Sequence, residues 1–341
     1  MIVHELPRQA GRSDSDDQFV AEALRCQSRY GHFWTRSVIS PLERLRRPGL
    51  FLVDDTRQEI GAFKIRGASV AVNEANSASP DGVGGVCAAS SGSFGMGIAS
   101  TSHRLGLECT IFMPANASEK KKQRIRSFGA VVDDTEPTYE AAKQKARGYA
   151  AQRDGRRFID GVGWEVFKGN ATLAAEVVDS GALTRSRSAV IVPLGIGSLA
   201  IPMSLFLRGS GFESDVFVVE PLTHCKFLAD LDGEIRPSYA DTIADGAAVR
   251  AIPDLARGLL GGIARAVLAL TEEEIVRAMR RLWESERIQS EGAGALALGA
   301  FLARPELFDD YEQVWMVVTG RNIASSQFQA LIEAPKAFDL H

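Results

Sequence analysis

Short runs rich in β-branched residues alternate with helical patterns along most of the 341 residues, and this alternation constrains the fold more than any other feature. It is the signature of parallel strands joined by crossover helices, so the expected class is α/β, with open, twisted, mostly parallel sheets flanked by helices. Candidate strands are Leu50–Val53, Gly85–Ala89, Cys109–Met113, Ala130–Asp133, Ala189–Pro193, Val216–Val219 and Val314–Val318. Thr271 to Glu286 is predicted to be one amphipathic helix, with Thr271 as N-cap and acidic residues in the first turn. A chain of this length exceeds what one small core usually organises, so two lobes meeting at a cleft are expected.

Composition excludes several function classes. With 45% hydrophobic residues, 24% charged residues and 32 glycines, the chain reads as an ordinary globular protein rich in tight turns. The net charge of -4 gives no footprint for nucleic acid, and the basic run Lys120 to Lys122 with Arg124 and Arg126 reads as a solvated helix face. Cys26, Cys87, Cys109 and Cys225 form no CxxC pair and no metal-ligand spacing, which suits free thiols in the cytoplasm. The N-terminal stretch has no apolar core for a signal peptide and too many acids for a transit peptide. Ala189 to Leu207 lacks charge over nearly a membrane-spanning length, but Pro193, Gly195, Gly197 and Pro202 divide it into strand, turn and buried helix. No membrane partner is expected.

Several strands run into glycine or serine clusters where a helix should start: SSGSFGMG after Ala89, GIGS after Leu194 and TGRN after Val318. In open α/β sheets ligands sit beyond the carboxyl ends of strands, where backbone amides and helix N-termini point at them. Gly195-Ile196-Gly197-Ser198-Leu199-Ala200 matches G-x-G-x-x-A, and Glu220 ends the following strand near the spacing of a ribose-binding acid. Alone, that pattern suggests NAD. It lies past the middle of the chain, however, so a phosphate cradle of some kind is the safer reading, and a tight turn using glycine for positive φ is equally compatible. Gly61-Ala62-Phe63-Lys64-Ile65-Arg66-Gly67-Ala68 sets a lysine beside glycines at a strand-to-helix boundary. By itself such a lysine is usually a solvated charge.

The order of motifs from Trp34 to Ile323 resembles the serine/threonine dehydratase and serine racemase branch of the fold type II (tryptophan synthase β-like) pyridoxal-phosphate enzymes. SPLERL (Ser40 to Leu45) resembles the T-P-L opening, GAFKIRGA the S-F-K-x-R-G-A lysine motif, and SSGSFGMGIA (Ser90 to Ala99) the S-S-G-N-H-G-Q-G-V-A loop. VPLGIGSLA (Val192 to Ala200) resembles the phosphate loop and VVTGRNI (Val317 to Ile323) the closing S-G-G-N; VVEP, TIADGAAV and EGAGA add further matches.

The resemblance implies a two-domain enzyme with pyridoxal 5'-phosphate in the inter-domain cleft. Residues 1–74 and 161–341 would form the large cofactor-binding domain, and residues 75–160 a small domain closing over the substrate. It makes Lys64 the Schiff-base lysine and the proton-transfer group at Cα; a partly desolvated amine is a usable nucleophile and base near neutral pH. Phe63, Ser93, Gly195, Ile196, Gly197, Ser198, Leu199 and Thr319 join Lys64 in holding the cofactor, with Thr319 as the hydroxyl that meets the pyridine nitrogen. Ser90, Ser91, Gly92, Ser93 and Phe94 form the substrate loop, and Ser91 is the acid/base of the racemase branch. The partners implied are a small amino-acid substrate and a second copy in a homodimer.

Three departures qualify the activity. Ser93 and Phe94 stand where the family has Asn and His, so Phe94 either makes the pocket more apolar or packs under the loop. The phosphate loop has two glycines rather than four, as in diaminopropionate ammonia-lyases, and Arg321 replaces a glycine, facing either the pyridine or solvent. His224 and Cys225 lack further ligands, so no metal is expected. The leading expectation is an ammonia-lyase (dehydratase) that performs β-elimination on a serine- or threonine-like substrate to give a keto acid and ammonia. Racemisation, β-replacement and diaminopropionate-type elimination are the near rivals. A nicotinamide dehydrogenase and a non-catalytic protein of the same fold are the distant ones.

Overall fold

The computed structural model describes residues 1–7, 11, 13–45, 47–78, 82–152 and 155–333. Its strands are β1 (Ile2–Glu5), β2 (Val38–Pro41), β3 (Leu50–Asp54), β4 (Gly85–Ala89), β5 (Cys109–Pro114), β6 (Val131–Glu136), β7 (Arg156–Ile159), β8 (Ser188–Pro193), β9 (Ser214–Pro221), β10 (Ala264–Leu270) and β11 (Gln313–Val318). Its helices are α1 (Asp14–Tyr30), α2 (Ile65–Ser77), α3 (Ser93–Leu105), α4 (Glu119–Ser127), α5 (Tyr139–Ala151), α6 (Trp164–Asp179), α7 (Ala200–Gly209), α8 (Lys226–Asp232), α9 (Asp254–Ile263), α10 (Glu272–Arg281), α11 (Gly292–Ala303) and α12 (Ser325–Glu333). Among the described residues no helix is long and apolar enough to cross a membrane.

The chain divides into two units, Met1–Ala21 with Arg36–Arg57 and Leu173–His341, and Glu22–Thr35 with Gln58–Thr172. The first holds a seven-stranded sheet in the order β1-β10-β9-β8-β11-β3-β2. Only the edge pairs, β1 with β10 and β2 with β3, are antiparallel. Every residue of β11 is buried, as expected of a parallel strand covered on both faces. β8 and β11 are neighbours, Ile191 opposite Met316, so the loops after Pro193 and Val318 leave the same edge side by side. From β8 the chain continues to β9 on one side while β11 lies on the other, the kind of switch in strand order beyond which open α/β sheets bind ligands.

β1, β2, β7 and β10 stand beyond the expected strands. The helix expected over Thr271 to Glu286 is shorter: α10 stops at Arg281, and a wide π-type turn over Leu282–Glu286 carries the chain to Arg287 at φ +57°. Its start is as expected. Thr271 Oγ1 accepts from the Glu274 amide at 3.3 Å, and the Glu274 carboxylate accepts from the Thr271 amide at 2.8 Å, a complete capping box. Thr271→Ala is expected to lower stability by about 1 kcal/mol, read from the urea midpoint.

The second unit holds an all-parallel sheet in the order β6-β5-β4-β7. Its core joins Ile65 and Ala68 of α2, Met96 and Ile98 of α3, Ile111 of β5 and Ile125 of α4. Two glycine contacts fix α2. A Cβ at Gly97 would lie 2.8 Å from the Ala68 Cβ and 3.2 Å from the Lys64 carbonyl oxygen, so α3 crosses α2 nearly backbone to backbone. A Cβ at Gly169 would lie 2.5 Å from the Arg66 carbonyl oxygen, and the Asn170 side chain accepts from the Gly67 amide at 2.9 Å, binding α6 to the same turn.

Lys122 corrects the reading of the basic run as a solvated face, while Lys120, Arg124 and Arg126 are exposed as expected. Lys122 is buried, with Nζ 2.8 Å from Asp134 and 2.7 Å from the Ala115 carbonyl, and Lys121 is half-buried. Long aliphatic stems let lysines cover apolar surface while their ammonium groups find acceptors.

Candidate active site

Each unit carries part of the expected constellation. In the second, Phe63 and Lys64 lie in the turn that starts α2; Phe63 is buried, and the Lys64 Nζ stands 5.8 Å from the centre of its ring. Gly61, at φ +72°, turns the chain out of the preceding segment, a conformation glycine adopts without a Cβ clash. Lys64 is the N-cap residue of α2, and its half-buried amine is held where neighbouring helices fix the backbone beneath it.

The loop Ser90–Phe94 connects β4 to α3. Ser90 is buried, and its hydroxyl oxygen accepts from the amides of Gly92 at 3.1 Å and Gly95 at 2.8 Å. It thereby serves as a cap for α3, whose own N-cap residue, Gly92, has no side chain to do so. Ser91 is exposed and Ser93 half-buried, while Phe94 packs against the core of this unit. Of the two expectations for Phe94, packing beneath the loop is the one the structure displays.

In the first unit, Gly195–Leu199 joins β8 to α7. Gly197 has φ +85°, which favours glycine; Gly195 does not, and a Cβ there would meet nothing closer than 3.6 Å. The protein's own packing therefore does not demand glycine at 195. The N-terminus of α7 has no side-chain cap, but Ile201 already donates to the Gly197 carbonyl at 3.1 Å and Pro202 has no amide hydrogen, so amides suited to a phosphate come from the loop before the helix rather than from its first turn. Thr319 is buried at the end of β11, beside that loop. Gly195 faces the Gly246 carbonyl, Gly246 faces a Glu291 carboxylate oxygen, and the other Glu291 oxygen accepts from the Asn322 amide at 3.0 Å. GIGSLA, TIADGAAV, EGAGA and TGRNI thus meet in one place. Arg321 points to solvent.

The nicotinamide reading fails on Glu220. Its carboxylate is fully buried and accepts from the amides of Phe227 at 2.9 Å and Leu228 at 3.0 Å, so it caps α8 rather than awaiting a ribose. Burial pushes its pKa up to about 7 despite these bonds. Nearby, burial raises the Cys225 thiol to about 11 and lowers the His224 pKa, while His224 Nδ1 lies 3.1 Å from the Thr223 hydroxyl. Burial likewise holds Cys26, Cys87 and Cys109 well above the ordinary thiol range. Among the described residues no group of three or more metal-binding side chains comes together.

Two residues, one in each unit, escaped the sequence reading. Glu291 lies in a recognised motif but carried no assigned part, and Lys121 had no signal beyond its charge. A point where a Gly92 Cβ would stand is 3.1 Å from the Lys121 Cδ and 3.4 Å from its Nζ.

Residues 37–320 match the family described as "Pyridoxal-phosphate dependent enzyme", and the chain belongs to that family. Its cofactor is pyridoxal 5'-phosphate. The chain is 29% identical over 288 residues to beta-hydroxyaspartate dehydratase of Paracoccus denitrificans strain Pd 1222, covering 83% of this chain and 88% of that one. It is 26% identical over 319 residues to serine racemase of Dictyostelium discoideum, covering 92% and 96%. The processed form of threonine deaminase isoform 2 from Solanum lycopersicum shares the fold, with a TM-score of 0.82 at 23% identity over 97% of this chain and 91% of that one. Dehydratases and a racemase thus stand among its relatives.

Proposed function

We propose that this chain is an ammonia-lyase that eliminates water from a serine- or threonine-like β-hydroxy amino acid and takes a water back as the resulting imine hydrolyses, so that the net products are a keto acid and ammonia. The observation that carries the reading is the close crossing of α2 and α3 at Gly97, which ties the Lys64 backbone to the helix that follows the Ser90–Phe94 loop. A proton-transfer group and a carboxylate grip need that kind of fixed relation, because a misplacement of about 1 Å costs on the order of a hundredfold in rate.

Bound pyridoxal phosphate supplies an electron sink for the charge left when the Cα proton departs. Lys64 carries the cofactor and moves that proton with its Nζ. Gly195, Ile196, Gly197, Ser198 and Leu199 hold the phosphate through backbone amides and the Ser198 hydroxyl, and Phe63 and Ser93 line the ring. Thr319 offers the ring nitrogen a neutral hydroxyl, which leaves the sink weak and favours a reaction whose leaving group takes up the electrons. Ser90 holds the loop in shape; Ser91, Gly92 and Ser93 meet the substrate carboxylate, with Phe94 packed beneath them. The reading divides the chain into a cofactor-binding part over 1–74 and 161–341 and a closing part over 75–160, whereas the two compact units set 22–35, 58–74 and 161–172 with 75–160; a cytoplasmic homodimer completes the reading. Light scattering tests the dimer.

Ammonia release from a panel of serine, threonine and bulkier β-hydroxy amino acids tests the activity, and silence across the panel would sink it. Gly195→Ala is expected to leave the unfolding midpoint of the cofactor-free protein unchanged while weakening pyridoxal-phosphate binding roughly tenfold or more, because the added methyl stands where the backbone must approach the phosphate. A second reading, racemisation, is favoured by the exposed Ser91 hydroxyl, free of the capping duty that engages Ser90. Ser91 would then exchange the proton on the opposite face of Cα, and chiral analysis of recovered substrate separates the two.

A further inference from the structure

We infer that Lys121 is a substrate-binding residue whose ammonium is the counter-charge for the α-carboxylate held at the Ser90–Ser93 loop. The inference rests on the reading of that loop as the carboxylate grip, and it adds a charge that none of the recognised motifs contains.

The backbone and the spacing of α4 bring Lys121 there. Ile125 of α4 is fully buried and lies 3.2 Å from the point where a Gly95 Cβ would stand, so α4 seats directly on the first turn of α3. Lys121 is four residues earlier on the same face of α4, one turn along, and its stem crosses Gly92. Lys122, one residue on, points elsewhere and meets Asp134 and the Ala115 carbonyl.

This contact also accounts for the glycine. Gly92 has φ 179° and ψ −117°. What a side chain would meet is the Lys121 stem, with Cδ at 3.1 Å and Cε and Nζ at 3.4 Å. Glycine at 92 therefore makes room for a lysine, and the lysine brings a positive charge to a loop of otherwise neutral donors. A carboxylate withdrawn from water into amides and hydroxyls alone is poorly compensated, whereas a charge-assisted hydrogen bond is about twice as strong as a neutral one.

The test uses the holoenzyme and two ligands without a β-leaving group, glycine and glycinamide, titrated by the change in the cofactor's visible spectrum. Wild type is expected to bind glycine more tightly than glycinamide. Lys121→Met is expected to weaken glycine roughly 10- to 100-fold and leave glycinamide unmoved, and Lys121→Arg to restore most of the loss. If Lys121→Met fails to fold, Gly92→Ala, which pushes the stem off the loop, must produce the same selective loss. Unchanged glycine binding in the variant, a parallel fall for glycinamide, or a wild type that does not discriminate would each overturn the inference. Failure of the ammonia-lyase reading looks different: glycine binding stays dependent on Lys121 while no β-hydroxy amino acid releases ammonia.

Discussion

Lys64→Ala is expected to lower ammonia release by about 10²–10⁴-fold at least, the contribution of a positioned proton-transfer group, and to abolish covalent retention of the cofactor. Borohydride reduction followed by peptide mapping should label wild type at Lys64 alone and leave the variant unlabelled. Lys64→Arg should not restore activity: a guanidinium stays protonated in proteins and can neither attack an aldehyde nor accept the Cα proton. The cradle in the other unit predicts a further detail. Because the proposed phosphate cradle is the 195–199 turn, the variant should still take up pyridoxal phosphate reversibly, though more weakly. A label at another lysine, or ammonia release within tenfold of wild type, would remove Lys64 from its place in the reaction.

Legibility in the sequence divides along physical lines. Buried parallel strands such as Val314 to Val318 were readable because both faces are covered and the run is continuously apolar. β10 was not: Ala264–Leu270 is built from alanine, leucine and one arginine beside a single valine, a composition that fits a buried helix equally well, and only pairing with β1 and β9 makes it a strand. β1, β2 and β7 are edge strands of four residues each, too short for a period to declare itself. Within the candidate site, motifs made of consecutive residues could be recognised in the chain. The capping duty of Ser90, the burial of Glu220 beneath α8 and the reach of Lys121 across Gly92 depend on partners from other elements, and no local pattern encodes them. Charge was the most misleading cue: Lys120 to Lys122 looks uniform in sequence, yet along α4 Lys120 is exposed, the Lys121 stem is half-buried across Gly92 and Lys122 is buried against Asp134.

The same dependence on tertiary contact makes Gly169 a sensitive position outside the site. Its Cβ would stand 2.5 Å from the Arg66 carbonyl oxygen and 2.7 Å from the Gly67 Cα, both backbone atoms that cannot rotate away. α6 and α2 would have to separate, stretching the Asn170 to Gly67 hydrogen bond and disturbing Arg66, which is fully buried and donates to the Thr172 hydroxyl at 3.1 Å. Gly169→Val is therefore expected to cost about 3 kcal/mol or more, at or beyond the upper end of the overpacking range. Gly148 provides the contrast. It sits within α5 with no atom near its missing Cβ, so Gly148→Ala should stabilise by about 0.5–1 kcal/mol through helix propensity alone. The functional consequence follows from position: Arg66 and Gly67 are two and three residues past Lys64, so the part of the Gly169→Val protein that does fold should load cofactor poorly. Urea unfolding and cofactor absorbance, measured on both variants, separate stability from loading. Wild-type values of each in Gly169→Val would mean that α6 does not hold the turn that carries the lysine.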